Sequence, residues 1–468
     1  MFNFWKAQYL GDSIHIRKFQ SFLISISRLM LLVILFSPNI LLAHFPQSFK
    51  WCSATAAHQV EGENIHSDWW TFEQMPGAIK NNDKSGLAVN QWNLFPEDIK
   101  RMKALGLNSY RFSVEWAKIE PKENSWDEKA LDHYRQMVKQ LRLAGIEPLV
   151  TLHHFTLPQW FAAKGGWSSQ ESVPLFVRYA TRVFEALHQD VDTWVTFNEP
   201  MVVITVGYLD GLFPPLKKND AKGALMALKN ILQSHAEAVL KMRGIDLQKK
   251  ARFGFAHHLR VFDPENKFNP LDYIVRNQLD QIWNWSFPMA LSTGRFKLSI
   301  PFQASIDEEI PHLKGTQDFF GINYYTRDLV GFSLSAPYFK RSTVNGASVS
   351  DLGWEIYPQG LERLLIDIHE KFPNLNILIT ENGIADATDL KRTAFIEEHL
   401  RIVEKAIASG IPVEGYCHWS LLDNFEWAEG FTPRFGLYEV VYPSLVRIQR
   451  KSSLRLKTII ENRTTNAR

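Results

Sequence analysis

Apolar and aromatic residues come in short bursts along this chain, and the bursts recur at intervals. The stretches "FKWCSATA", "SYRFSVEW", "EPLVTLHH", "DTWVTFNE", "ARFGFAHH", "QDFFGINYY", "NILITENG" and "VEGYCHWS" have strand length and are rich in β-branched or aromatic residues. Longer segments separate them, among them Trp126 to Ala144 and Val173 to His188, with apolar residues at helical spacing and charge on the other side. Strands alternating with helices predict a parallel sheet. Eight such repeats predict its closure into an α/β fold of the (β/α)8 TIM-barrel type. No low-complexity linker or break in composition interrupts the chain after Phe49, so residues 44–468 are expected to form one catalytic domain.

In such a barrel the working residues sit where the strands end. The stretch "TWVTFNEP" runs out of apolar residues at Asn198 and Glu199 and stops at Pro200, which has no N–H to continue a ladder. "NILITENG" repeats the design with Glu381, Asn382 and a turn-forming Gly383. Two carboxylates on two strand ends are what glycoside hydrolysis requires, one to protonate the leaving oxygen and one to attack or to activate water. The competing reading is that each Glu caps the helix that follows it. Other strand ends add Gln59 and Glu61, Arg111, His154, Asn323 and Tyr325, then Trp419, Glu426 and Trp427. Packing or an ion pair can account for any one of these, but poorly for the set. A cation and a phenol keep a neighbouring carboxylate ionised, while amides, an imidazole and a further carboxylate can hydrogen-bond the hydroxyls of one sugar.

Composition narrows the partners. With 52 basic against 50 acidic residues the net charge is +2, which does not suit a polyanion, so no nucleic acid is expected. The 45% hydrophobic and 22% charged content is that of a globular enzyme, and 15 Trp offer both core and sugar-stacking surfaces. The pairs His153–His154 and His257–His258 would point to opposite faces of a strand, and no metal or other cofactor is expected. Cys52 and Cys417 make no disulfide framework, and free thiols are the expectation, although a closed barrel makes their strands neighbours. At the N-terminus, Lys6, Arg17, Lys18 and Arg28 precede the apolar run Leu29 to Ala43, the order of an export signal over residues 1–43. Cleavage would leave an exported protein; an uncleaved run would be a membrane anchor, and without a signal the protein would be cytoplasmic. The basic C-terminal stretch is expected to be a closing helix that buries Leu454, Ile459 and Ile460. Oligomeric state leaves no trace in the pattern.

The motifs "FKWCSATAAHQVEG", "YRFSVEW", "TLHHFTLPQWF", "TFNEP", "GINYYTRDLV", "ITENG" and "GYCHWSLLDNFEWAEGFTPRFGL" resemble, in order, the signatures of glycoside hydrolase family 1, the β-glucosidase and β-galactosidase family. The resemblance implies a retaining double displacement with Glu199 as acid/base and Glu381 as nucleophile, the two carboxyls about 5–5.5 Å apart. It implies that Gln59, His154, Asn198, Glu426 and Trp427 hold a sugar, with Trp419 as its floor and Phe435 nearby. Arg111, Asn323 and Tyr325 would hold and tune the nucleophile, raising Glu199 and keeping Glu381 ionised. The implied partner is a small, unphosphorylated β-glycoside or oligosaccharide, since "NFEWAEGF" lacks the Ser and Lys of the 6-phosphosugar branch. A transglycosidase using the same intermediate, or a non-catalytic sugar-binding ectodomain, are the alternatives. Two departures stand out: Thr156 replaces an Asp usual in the family, which is expected to loosen the His154 loop, and Cys52 replaces a smaller residue.

Overall fold

The computed structural model describes residues 45–465 apart from Phe302 and Ala336, so the expectation for residues 1–43 lies outside the described residues. All eight expected strands form: β1 (Lys50–Ala54), β2 (Ser109–Ser113), β3 (Glu147–His153), β4 (Thr193–Asn198), β5 (Arg252–Pro264), β6 (Phe319–Phe332), β7 (Asn376–Asn382) and β8 (Val413–Trp419). They pair in parallel in sequence order, β8 pairs with β1, and β6 pairs with β7, which closes the barrel. Its interior is filled by Leu149, Val195, Ala256, Phe319 and Leu378, one from each of five successive strands. Gly254 on β5 makes room for that plug, because a Cβ there would lie 2.7 Å from the Phe319 ring.

Helices pack outside: α1 (Gln91–Ala104), α2 (Glu128–Leu143), α3 (Ser172–Leu187), α4 (Ala221–Ile245), α5 (Pro270–Leu279), α6 (Ser286–Thr293), α7 (Pro358–Lys371), α8 (Arg392–Ala408) and α9 (Lys451–Thr465). On α3 the buried residues Val173, Phe176, Ala180, Val183, Phe184 and Leu187 follow the helical spacing read from the sequence. Caps start several of these helices where chemistry favours it. Asp127 accepts from the Lys129 and Ala130 amides at the head of α2, and Asn269 caps α5 with Pro270 at its first position. Helix α9 does close the chain, but it buries Leu456 and Ile460; Leu454 is half exposed. The difference follows from Leu456 and Ile460 being one turn apart on the inner face.

Two expectations change. Cys52 and Cys417 are disulfide-bonded rather than free, because the β1–β8 register makes them direct partners across the barrel seam. Strands β5 and β6 run beyond the barrel as a pair, Val261 opposite Arg327 through Pro264 opposite Val330, with the antiparallel strand Phe339–Ser342 on their edge. That extension raises one wall of the mouth.

Candidate active site

Glu199 and Glu381 both stand at the carboxyl end of the barrel, immediately after β4 and near the end of β7. Glu199 occupies the left-handed region at φ 46°, ψ 59°, and its N–H donates to Ala256 O at 2.8 Å. A non-glycine residue there is strained, and the conformation turns the chain so that Pro200 can open the next helix. Gly383, two residues past Glu381, approaches the neighbouring strand closely: a Cβ would lie 1.8 Å from Trp419 O.

Arg111 is fully buried and ties the site together. Its guanidinium donates to Thr151 Oγ1 at 3.1 Å, to Asn198 Oδ1 at 2.7 Å, to Thr380 O at 3.3 Å and to Glu381 Oε1. The Tyr325 hydroxyl donates to the other Glu381 oxygen at 2.7 Å. Asn323, expected to tune Glu381, lies against both carboxyls. Its amide nitrogen donates to Glu199 Oε1 at 2.7 Å and to Asn198 Oδ1 at 3.0 Å, while its oxygen accepts from Thr380 at 2.6 Å. It is the Cα partner of Glu381, yet its side chain reaches across to β4, so it stands between the carboxyls rather than on Glu381 alone.

Burial pushes the Glu199 carboxyl up to about 8, with the Glu381 charge adding to it. Burial raises Glu381 too, against the pull of Arg111, Tyr325 and Asn323. The groups expected to keep Glu381 ionised therefore work against its burial. The guanidinium and the phenol still favour placing the pair's negative charge on Glu381, and that charge keeps the proton on Glu199. Such a pair sets a proton donor beside an anion.

The opposite wall is built from the other predicted residues. Gln59 donates to Glu426 Oε2 at 3.1 Å and to Phe425 O and Asn424 Oδ1, each at 3.0 Å. His154 lies parallel to Trp419 and to Trp427, its ring 5.9 Å from each, and its Nε2 accepts from Asn198 at 3.1 Å. Burial, with Arg111 beside it, holds the His154 imidazole well below its ordinary pKa, so it is neutral. Its Nδ1 and the Gln59 Oε1 are buried without a hydrogen-bond partner. Burial and the Glu381 charge push Glu426 up to about 8. Phe435 is buried behind Tyr325 and Trp354, with its ring 6.2 Å and 6.4 Å from theirs.

Glu61 does not join this group. It accepts from the Tyr134 hydroxyl at 2.9 Å and pairs with Lys118, as part of the packing beneath the mouth. The loosening expected from Thr156 is absent, because its hydroxyl is held by both oxygens of Glu115, at 2.8 and 3.1 Å. The carboxylate usual at position 156 is replaced by one reaching in from the neighbouring loop. Two residues escaped the sequence reading. His258, with Nδ1 3.6 Å from Glu199 Oε2, sits at the end of the "FAHH" run, where strand position alone pointed. Burial and Arg260 keep that ring neutral, so this contact is not an ion pair. Trp354 comes from a loop with no periodic signal.

A closed parallel barrel with two buried carboxyls at its mouth is the class of molecule these observations define. The family model "Glycosyl hydrolase family 1" matches residues 41–465. Beta-glucosidase A of Thermotoga maritima is 33% identical over 443 residues, covering 89% of this chain and 98% of that protein. A beta-galactosidase of Pyrococcus woesei is 30% identical, covering 89% and 97%. Among solved structures, a beta-glycosidase from Pyrococcus horikoshii superimposes with a TM-score of 0.83 at 36% identity, covering 90% of this chain and 96% of that one. The beta-glucosidase from T. maritima in complex with castanospermine gives 0.82 at 32%, covering 90% and 99%. The chain belongs to glycosyl hydrolase family 1.

Proposed function

We propose that this enzyme releases terminal, unphosphorylated β-D-glucose from β-glucosides by a retaining double displacement, Glu381 being the nucleophile and Glu199 the acid/base. One observation carries the proposal: Arg111 and Tyr325 both bind Glu381, while Glu199 sits beside it with its carboxyl pushed up to about 8. Asn323, which donates to Glu199 and lies opposite Glu381 in the register, supports the short separation of a retaining pair. The Glu381 carboxylate attacks the anomeric carbon as Glu199 protonates the departing oxygen. Glu199, now charged, then takes a proton from the water that cleaves the glycosyl ester. Gln59 Oε1 and His154 Nδ1, the latter protonated when Nε2 accepts, offer an unfilled acceptor and donor to sugar hydroxyls. Glu426 accepts further hydroxyls, and Trp419 and Trp427 supply flat faces. The N-terminal basic-then-apolar order and the Cys52–Cys417 disulfide support export to an oxidising compartment.

Azide distinguishes the two carboxyls. Glu199→Ala should still be glycosylated by a dinitrophenyl β-glucoside, which needs no proton donor, and should stall there until azide releases the β-glycosyl azide. Glu381→Ala should yield only the α-azide. Reversed anomers would exchange the two roles, and no rescue of either variant would sink the two-carboxylate mechanism.

A further inference from the structure

His258 carries a buried N–H that no hydrogen bond among the described residues takes up. Its Nε2 lies 3.3 Å from Nε of Arg260, and a guanidinium can only donate, so Nε2 accepts and the proton of the neutral ring sits on Nδ1. That Nδ1 faces Glu199 Oε2 at 3.6 Å, too far for a hydrogen bond. A buried donor left unpaired costs stability, and its place beside a reacting carboxyl calls for a reason.

The ring is not free to turn elsewhere. Trp283 donates to the His258 carbonyl at 3.0 Å and meets the imidazole edge-on, with ring centres 5.7 Å apart, while Tyr325 meets it from β6 at 6.0 Å. Asn284 holds both backbone groups of Arg260, at 2.7 and 3.0 Å, and Asp328 holds its guanidinium at 2.9 Å. His258 is also the Cα partner of Asn323 across β5 and β6. Adjacent strands therefore aim two donors at Glu199, one at each oxygen.

Asn323 is bonded to Oε1, which leaves Oε2 to carry the acid proton. A protonated oxygen is a weak acceptor and a carboxylate oxygen a strong one. When the proton passes from Oε2 to the departing glycosidic oxygen, the O–H electron pair stays on Oε2 and gives Nδ1–H a charge to bond. Closing the gap to about 2.9 Å needs a shift of about 0.7 Å. Throughout, His258 keeps its own proton. The contact is therefore stronger once Glu199 is charged than in the resting acid, which is the condition for helping the reaction rather than the fold alone.

We propose that His258 is a positioning residue for the acid/base: its Nδ1–H, fixed by Arg260, closes onto Glu199 Oε2 as that oxygen gives up its proton and holds the carboxylate until water is activated. The proposal rests on Glu199 being the acid/base. Glu381, Arg111 and Arg260 are the charged groups that act on Glu199, and the neutral ring joins them without changing the net charge of the site.

His258→Phe removes the N–H and keeps a buried ring. A hydrogen bond to a charged group is worth roughly 10- to 100-fold, so its loss should carry the alkaline limb of kcat/KM, which reports Glu199, about 1–2 pH units higher. With about half of that charge developed in the transition state, kcat/KM for methyl β-glucoside should fall about three- to tenfold relative to dinitrophenyl β-glucoside, whose leaving group needs no proton. His258→Asn places an amide nitrogen where Nδ1 stood and should return both the limb and the ratio most of the way. His258→Leu takes the place of the Phe variant where that one folds poorly. A purely structural role would lower both substrates alike and leave the limb in place. Either result in a folded variant overturns the proposal, and the hydrolase reading survives as long as the wild type cleaves the dinitrophenyl glucoside. If the wild type cleaves neither substrate, the hydrolase reading fails, and 13C NMR of glutamate-labelled protein then decides the contact, with the Glu199 signal assigned by Glu199→Gln. A raised Glu199 titration in His258→Phe upholds the contact, and an unchanged one overturns it.

Discussion

Replacing Arg111 by methionine keeps the bulk of the side chain and removes the one full charge that favours an ionised Glu381. The guanidinium makes four hydrogen bonds from a fully buried position, one of them to the Glu381 carboxylate. An opposite charge at this range lowers a carboxyl by about 1–3 pKa units, so its loss should raise Glu381 by the same amount. Nucleophilic attack needs the charged form. The acid limb of kcat/KM should therefore move about 1–3 units towards alkaline pH, and activity below that limb should drop about 10- to 1,000-fold. A dinitrophenyl β-glucoside is the substrate to use, since its leaving group does not call on the Glu199 proton and the limb then reports Glu381. Breaking a buried pair also leaves a carboxylate and the Asn198 oxygen short of a donor, at a cost of about 3–5 kcal/mol in stability. That loss should shrink at acid pH, where Glu381 is protonated. An acid limb left in place, in a variant that still folds, would mean that Tyr325 and Asn323 alone hold Glu381, and the role given to Arg111 would be wrong.

Thr156→Asp should face the Glu115 carboxyl with a second one inside a buried contact now made by a hydroxyl, destabilising the protein by about 1–3 kcal/mol. Adding Glu115→Thr should recover most of that in a denaturant titration, and additive losses would show that the two side chains do not act as a pair. Thermal stability should fall as pH rises from about 7 to 9, above the range in which the unfolded chain protonates histidines that the fold keeps neutral, such as His154 and His258. Burial pushes Glu199 and Glu426 up to about 8, and Asp68 and Glu115 up to about 7, so the folded state keeps protons that the unfolded chain has released. The stabilisation is present below the unfolded pKa values and is lost as pH climbs through the folded ones. In Glu426→Gln the Tm–pH slope should flatten on the alkaline side, and an unchanged slope would deny Glu426 its raised pKa.

Much of this could be read in the chain because the barrel repeats one simple pattern. Each strand is a compact apolar burst, and the polar residue that ends it is at once a breaker of the pattern and a candidate for chemistry. What escaped depends on where side chains go once the strand is placed. Glu61 follows β1 as Gln59 does, but two positions on a short helix turn it towards Tyr134 and Lys118. Asn323 pairs in register with Glu381, yet an amide can reach across the barrel, and only the competing donors decide that it does. Cys52 and Cys417 are 365 residues apart, and nothing local indicates that the seam brings them level. Thr156 shows the same limit most sharply: a lost carboxylate looks like a weakness until Glu115 is found opposite it.

The backbone at the mouth tells which part of the molecule carries the cost of these arrangements. Glu199, Phe155 and Trp427 all lie in the left-handed region, at φ 46°, 72° and 49°. Such positions cost on the order of 1–3 kcal/mol each for a residue with a Cβ and persist only where the surroundings over-determine them. The surroundings here do. The Glu199 amide is fixed on β5, Thr156 next to Phe155 is fixed by Glu115, and the Trp427 amide donates to Phe425 O at 3.0 Å. Each strained residue is a proposed participant or adjoins one: Glu199 itself, Trp427, and Phe155 next to His154. The same buried carboxyls that destabilise the fold at alkaline pH are the ones that must hold or release protons in the reaction. Stability spent on the mouth is recovered in the barrel below it, where Leu149, Val195, Ala256, Phe319 and Leu378 pack without a polar atom to satisfy beyond their own ladder. A variant that relaxes the mouth, such as Glu199→Gly, should on this reasoning lose activity without losing stability, because the glycine adopts the same φ with no strain.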